Sequence, residues 1–298
     1  MNIISLSENT IPKGAFVVAL GMFDGLHLGH MKLVECAKEM ARAKNAKSAI
    51  FTFEKVRTRA ICTNKVRFEL FEKAGIDTVF VGDFESMRNM SPVEFVNVLK
   101  DKMGAVGAVC GFNFRFGKNA SGEASDLKRL GSNLGIDTVV LPCHKIGDDI
   151  VSSTLIRQAI SEGDMEKAEM LLGRPFFMDG TVVKGRRVGH VIGYPTMNTD
   201  LPENVIKPKN GVYFTRIITA DGEFFAITNV GTRPTFGLEC VNIESHIITD
   251  FSREAYGEEI RIVFCKYNRP EVKFKAVDQL KDTLAADLNG AKEYFNIK

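Results

Sequence analysis

The interval between apolar runs changes near residue 177, and this change constrains the fold more than any other feature of the chain. Before it, runs of strand length alternate with stretches of helical period. Residues 15–20, Ala49–Phe53, Asp77–Val81, Ala105–Gly111 and Thr138–Leu141 read as buried strands. Helical patterns cover 29–44, 65–74 and 124–134, and another begins at Ser91. There Ser91-Pro92-Val93-Glu94 combines an N-cap, a proline at the first helical position and a capping-box glutamate. Gly104 stands where that helix should stop. Such alternation predicts an α/β domain with a parallel sheet and helices on both faces. In that architecture ligands bind at the carboxyl ends of the strands.

Beyond residue 177 the strand candidates come without intervening helices: Thr181–Val183, Val212–Thr219, Glu223–Thr228, Val241–Thr249 and Glu259–Tyr267. Asp221-Gly222 is a hairpin signal between two of them. Closely spaced strands of this kind predict an antiparallel barrel or sandwich, here followed by a helix over about 275–294. Ser161–Pro175 reads as a short helix and connector. The 298 residues suffice for two cores, and the domains are expected at 1–174 and 175–298.

Composition removes several classes of function. A formal net charge of +2 leaves no basic footprint for nucleic acid. The longest apolar runs fall well short of the ~20 residues that span a bilayer. The first residues, MNIISLSENTIPKG, lack the basic start and apolar stretch of a signal peptide. Six cysteines are scattered without CxxC spacing, so reduced thiols and a cytoplasmic location are expected.

Chemistry concentrates in a few stretches. GMFDGLHLGH (21–30) follows a buried strand and runs into a helix, so its free backbone N–H groups face an anion. Gly21, Gly25 and Gly29 let backbone approach a ligand, and His27 and His30 can donate to phosphate oxygens. Two imidazoles three residues apart supply only two metal ligands, and no carboxylate or cysteine is placed to complete a metal site. No base stands beside them. A phosphate ester attacking the α-phosphorus of ATP is already ionised, so positioning and charge neutralisation suffice. A second stretch, GDDIVSSTLIRQAI (147–160), reads as a strand end, a hydroxyl cluster and a helix. Ser152, Ser153 or Thr154 is the N-cap, and Arg157 follows one turn in, where a bound anion would explain a cation in a first helical turn.

In the second half, GRRVGHVIGYPTMN (185–198) repeats glycine at Gly185, Gly189 and Gly193. It then sets Pro195 and Thr196 before Asn198, a rigid residue followed by oxygen donors that suit Mg²⁺ and phosphate. Asn229, Thr232 and Arg233 lie in another polar turn. Glu244, inside VNIESH, is the candidate base: an alcohol must lose its proton to attack the γ-phosphorus of ATP. A solvent-facing strand glutamate is the alternative reading, and His246 reads as orienting or structural.

These residues carry a resemblance. GMFDGLHLGH, GFNFRFG (111–117) and SSTLIR (152–157) resemble the adenylyltransferase module of the bacterial bifunctional riboflavin kinase/FMN adenylyltransferase family, an HxGH nucleotidyltransferase with a Rossmann-like sheet. GYPTMN, NVGTRPTFG, IESHIITDF and EAYGEEIRIVF resemble its riboflavin kinase module, a six-stranded antiparallel barrel. The resemblance implies that His27 and His30 are catalytic and contact ATP phosphates, with Gly21, Phe23, Asp24, Gly25 and Gly29 in the nucleotide turn. It further implies phosphate or metal contacts for Asn113, and a pyrophosphate clamp from Ser153, Thr154 and Arg157. In the kinase module it implies ATP and flavin contacts from Gly185, Gly189, Gly193, Pro195, Asn198, Asn229, Thr232 and Arg233, Mg²⁺ on Thr196, and a catalytic base at Glu244.

Two departures stand out: Glu54-Lys55-Val56-Arg57-Thr58-Arg59 replaces a Pro-His-Pro segment, and Ser245 replaces an aliphatic residue. The implied activity turns riboflavin and ATP into FMN and ADP, then FMN and ATP into FAD and pyrophosphate, with Mg²⁺ and with no nucleic-acid or membrane partner. Two alternatives stay open at this point: a riboflavin kinase with weak or absent adenylyl transfer, and a non-catalytic flavin-binding regulator.

Overall fold

The computed structural model describes residues 1–7, 14–54, 59–185, 196–235, 238–249, 251, 253–272, 274 and 276–297. At 233–235, 238–241 and 277 it describes the backbone alone. The chain divides into two compact units, Met1–Ser153 and Thr154–Lys298.

In the first unit strand and helix alternate as expected. The elements are β1 (Asn2–Ser5), β2 (Phe16–Leu20), α1 (Leu28–Ala43), β3 (Lys47–Phe53), α2 (Asn64–Lys73), β4 (Thr78–Gly82), α3 (Phe84–Met87), α4 (Pro92–Asp101) and β5 (Ala105–Gly111). A short ribbon of β6 (Arg115–Phe116) and β7 (Gly122–Glu123) leads to α5 (Ala124–Asn133) and β8 (Asp137–Leu141), and a second ribbon pairs β9 (Lys145–Ile146) with β10 (Asp149–Ile150). The main sheet is parallel throughout, in the order β1-β4-β3-β2-β5-β8. All five residues of β2 are buried, as a central strand covered on both faces requires. On one face α1 buries Leu33, Val34, Ala37 and Ala41 against β2, β3 and β5. On the other, Phe95, Val96 and Leu99 of α4 join Leu127 of α5 over Val18, Leu20 and Phe51. The chain lays β3 and β4 to one side of β2 but β5 and β8 to the other, so the topological switch point falls between β2 and β5.

β1 has no counterpart in the sequence reading. Its four residues are half exposed at the sheet edge, and pairing with β4, not an apolar run, holds them in the sheet.

The second unit begins with α6 (Ser153–Glu162), whose first residue closes the first unit, and α7 (Met165–Leu172). Six antiparallel strands then close a barrel in the order β11-β12-β15-β14-β13-β16: β11 (Phe176–Val183), β12 (Met197–Asp200), β13 (Gly211–Thr219), β14 (Gly222–Thr235), β15 (Leu238–Ile247) and β16 (Glu259–Arg269). α7 packs on β11 and β16, and α8 (Val277–Tyr294) closes the chain. Ala291, Leu288 and Phe295 of the C-terminal segment cover Val212, Phe214 and Ile227 on the outer barrel wall. Alternation therefore turns Tyr213 and Thr215 inward, where both are fully buried. Thr219 pairs with Gly222, so the hairpin loop is Ala220-Asp221, one residue earlier than the Asp-Gly signal. β12 is the strand the sequence conceals: Met-Asn-Thr-Asp is a poor strand former, and its pairing with β11 and β15 holds it.

Two polar arrangements fix the barrel. Inside it, Thr215, Thr228 and Ser245 form a hydroxyl ladder across three strands, with O···O distances of 2.7 and 2.8 Å. Ser245 thus departs from an aliphatic residue because its hydroxyl answers Thr228. Outside, Arg269 binds Asp287 of α8 through Nε at 2.9 Å and Nη2 at 2.6 Å, and Asn268 adds a third donor at 2.8 Å. Asp287 is only 4% exposed, so removing it strands a guanidinium in the interface. Asp287→Ala is expected to cost about 3 kcal/mol in urea unfolding. A loss under about 0.5 kcal/mol, the range of an ordinary surface change, would show that this pair does not dock α8.

Candidate active sites

The GMFDGLHLGH turn leaves β2 and enters α1 through a strained backbone. Phe23 (φ 51), Gly25 (φ 74) and Leu26 (φ 37) all hold positive φ. At Gly25 a Cβ would lie 2.8 Å from the Ile61 side chain, so both conformation and space require glycine. Phe23 is fully buried, its ring edge-on to Phe71 and tilted against His30. Its side chain supports the turn from below and can offer a nucleotide only backbone. Asp24 is likewise engaged in the scaffold, its carboxylate accepting from the Ile61 N–H at 2.8 Å. Beneath the turn Arg67, 1% exposed, donates to Met22 O, Thr52 Oγ1 and Phe53 O at 3.0, 3.2 and 2.7 Å. Burial draws its pKa down from the ordinary guanidinium value. Arg67 gathers the carboxyl ends of β2 and β3; no local motif announces it.

His27 is the N-cap of α1. Its Nδ1 accepts the His30 backbone N–H at 3.2 Å, so in the neutral ring Nε2 carries the proton. The His30 ring stacks on it at 3.6 Å between centroids, 14° from parallel. A Cβ on Gly29 would press on the His27 ring at 3.2 Å, which is why glycine separates the two histidines. The His30 Nδ1 is buried without a hydrogen-bond partner. Burial, and then the charge of His27, hold the His30 imidazole well below the ordinary value of 6.5. It is therefore neutral at pH 7 in the free protein.

Gly21 follows β2, its N–H donating to Phe51 O at 3.3 Å. Asn113 is exposed just past β5, the other strand at the switch point, with its Oδ1 folded near Gly111. The Ser153 hydroxyl donates to Asp24 O at 3.2 Å, joining the start of α6 to the histidine turn across 129 residues of sequence. Thr154, exposed, and Arg157, half-buried, follow in α6 and are counted with the second unit.

The second constellation is set by barrel register. Asn198 of β12 and Asn229 of β14 both lie directly opposite Glu244 of β15. Residues paired this way point to the same face with Cα atoms about 5 Å apart, so two amides flank one carboxylate. This rung continues into Val183 on one side and Val212 and Arg269 on the other, and so lies on the outer wall. Asn198 is buried, its amide against Gly185; Glu244 is half-buried. Thr196 stands two residues before Asn198 at the approach to β12, and Thr232 is exposed on β14. His246 lies two residues past Glu244, opposite Ile227. Gly189, Gly193 and Pro195 lie outside the described residues, as do Lys55–Thr58 of the altered segment; at Arg233 only the backbone is described.

Two further residues reach this rung without any sequence signal having singled them out. Asn242 Nδ2 donates to Glu244 Oε1 at 2.9 Å, and Asn229 Nδ2 faces Glu271 Oε1 at 3.4 Å. Among the described residues no cluster of three or more histidine, cysteine or acidic side chains could hold a metal, which leaves hydroxyl, amide and substrate oxygens as donors.

Comparison with known proteins follows the same division. Residues 10–155 match the model of the FAD synthetase family and residues 172–295 that of the riboflavin kinase family. The bifunctional riboflavin kinase/FMN adenylyltransferase of Listeria monocytogenes is 32% identical, the match covering 94% of this chain and 92% of the relative. The enzyme of the same description from Escherichia coli K12 is 30% identical, with 96% and 95% covered. A crystal structure from Streptococcus pneumoniae, described as a macrolide-efflux protein, superposes with a TM-score of 0.90 at 29% identity, covering 98% of this chain and 99% of that one. No described helix here is long and apolar enough to cross a membrane.

The state of His30 has a pH consequence. With its pKa lowered in the folded protein, the unfolded chain binds the extra proton first, so stability falls as pH drops through about 6.5 and is unpenalised above it. The melting temperature is expected to fall between pH 7.5 and 5.5, and His30→Gln should shrink that fall. An identical acid dependence in the variant would place the buried imidazole elsewhere.

Proposed function

This chain belongs to the bifunctional riboflavin kinase/FMN adenylyltransferase family, and on that footing we propose that Glu244 serves its kinase reaction and the His27–His30 turn its adenylyl transfer. The enzyme phosphorylates riboflavin with ATP to give FMN, then adenylylates FMN with a second ATP to give FAD. ADP leaves the first step and pyrophosphate the second.

The rung Asn198–Glu244–Asn229 carries the kinase assignment. As the riboflavin 5′-oxygen bonds to the γ-phosphorus and the bond to ADP breaks, Glu244 accepts the hydroxyl proton. Asn198 and Asn229 hold polar groups of the substrates at either side of that carboxylate. Mg²⁺, a hard cation that takes few protein oxygens beside substrate phosphates, would be held by Thr196 and the carbonyl of Asn198. When bound it neutralises charge on the phosphates. Gly185, Thr232 and Arg233, with Gly189, Gly193 and Pro195 of the segment before Thr196, complete the nucleotide and flavin contacts.

In adenylyl transfer the FMN phosphate attacks the α-phosphorus with no proton to remove. The start of α1, the His27 Nε2–H and His30 stabilise charge moving onto pyrophosphate. Asn113 reaches the phosphates from the end of β5, while Ser153, Thr154 and Arg157 hold the leaving group. The Ser153–Asp24 bond supports the part of Ser153. We place the enzyme in the cytoplasm, without nucleic-acid or membrane partners. The described cysteines 36, 62, 110, 143 and 265 are thiols, in keeping with a reducing compartment. The efflux description of the pneumococcal structure is that protein's.

The test separates the centres. Glu244→Ala should abolish FMN formation and leave conversion of FMN to FAD at its parental rate, both read by flavin chromatography. His30→Ala should do the reverse, slowing FAD formation by about 10²–10³-fold, the loss expected for one charge-stabilising donor. Parallel loss of both activities in either folded variant would defeat the assignment.

A further inference from the structure

Asparagine is a poor strand former, and inside β15 it needs a reason. Asn242 stands two residues before Glu244 on the same face, and its Nδ2 donates to Glu244 Oε1 at 2.9 Å. An ionised carboxylate can only accept, so only the NH₂ end of that amide can face it. Directly across from Asn242 in β14 is Gly231, whose missing Cβ leaves room for the Glu271 carboxylate on that face. The Asn242 amide is nonetheless bonded along its own strand, to Glu244. Other charged groups near the rung are Glu271 after β16, which Asn229 faces, and Arg269, whose charge is committed to Asp287 of α8. His246 on β15 and Asp200 on β12 flank it along their strands.

We infer that Asn242 is a positioning residue for the kinase reaction: its amide holds Oε1 of Glu244 and so orients the carboxylate for the attacking hydroxyl of the alcohol substrate. The inference rests on the assignment of Glu244 as base and adds a residue that nothing in the motif pattern identifies. The amide does not touch the reacting atoms. It restricts rotation of the carboxylate about its last torsion. A restraint of this kind acts in the transition state and leaves substrate binding alone, so its loss lowers kcat at constant KM.

Asn242→Leu and Asn242→Asp preserve size and shape but remove the donor, and the aspartate adds repulsion. With riboflavin, ATP and Mg²⁺, the leucine variant is expected to lose about tenfold in kinase kcat, as for a hydrogen bond to a charged group. The aspartate variant should lose more. KM for both substrates, the melting temperature and the FMN-to-FAD rate should stay at parental values. Asn242→Gln, which keeps an amide on a longer arm, should recover most of the lost kcat. A leucine variant within twofold of the parent would overturn the inference, as would losses that follow melting temperature or KM. If the leucine variant does not fold, the glutamine and aspartate variants decide: equal kcat in the two would overturn it. Glu244→Gln separates the two levels. Kinase activity surviving that change would refute the base itself, whereas a dead Glu244→Gln beside a fully active Asn242→Leu would refute only the role of Asn242.

Discussion

Register is the constraint on which the barrel site depends. Side chains alternate faces along a strand, so a slip of one residue between β15 and its neighbours would turn Glu244 into the barrel and expose Ser245. The interior guards against that slip. Thr215, Thr228 and Ser245 satisfy one another in a buried row, and each would cost about 1–3 kcal/mol if left unpaired. The same slip would bury the Glu244 carboxylate and the Asn242 amide away from water, at several kcal/mol more. Two polar sets on opposite faces therefore lock one pairing, and the rung Asn198–Glu244–Asn229 follows from it.

The first unit achieves precision differently. Its site lies at the ends of parallel strands, where no ladder continues to hold the chain, so the turn is held by burial beneath it. Left-handed backbone costs about 1–2 kcal/mol at each of Phe23 and Leu26. Full burial of those two side chains returns about 1.5–3 kcal/mol each, so the strained form is kept with a margin. Asp24 and Arg67 then tie the turn to the neighbouring segments through backbone atoms. Such bonds place the chain without depending on what side chains lie nearby.

What could be read from the sequence follows from the same physics. Buried central strands, a capping box and closely spaced strands leave periodic or local signals, and both architectures were legible from them. β1 and β12 left none, because pairing and not apolar content makes them strands. The glycine–histidine turn raised the expectation of an anion site, but not that His27 caps α1 or that Phe23 and Asp24 face the scaffold. Arg67 was invisible because tertiary packing alone brings its partners to it, and Asn242 because a strand sets residues two apart on one face without dictating a bond between them.

On the proposed assignment, the two centres differ because their nucleophiles differ. An alcohol arrives carrying its proton, and the barrel offers a half-open carboxylate oriented by amides. A phosphate ester arrives already charged, and a fixed carboxylate facing it would repel it; Asp24 is turned instead toward the Ile61 amide. Imidazoles suit that second task only if they do not repel each other first. Stacked at 3.6 Å, His27 and His30 cannot both be cations in the free protein, and burial keeps His30 neutral. On the proposed assignment the turn therefore meets the nucleotide with backbone N–H groups and a neutral His30, and needs glycines and histidines but no base.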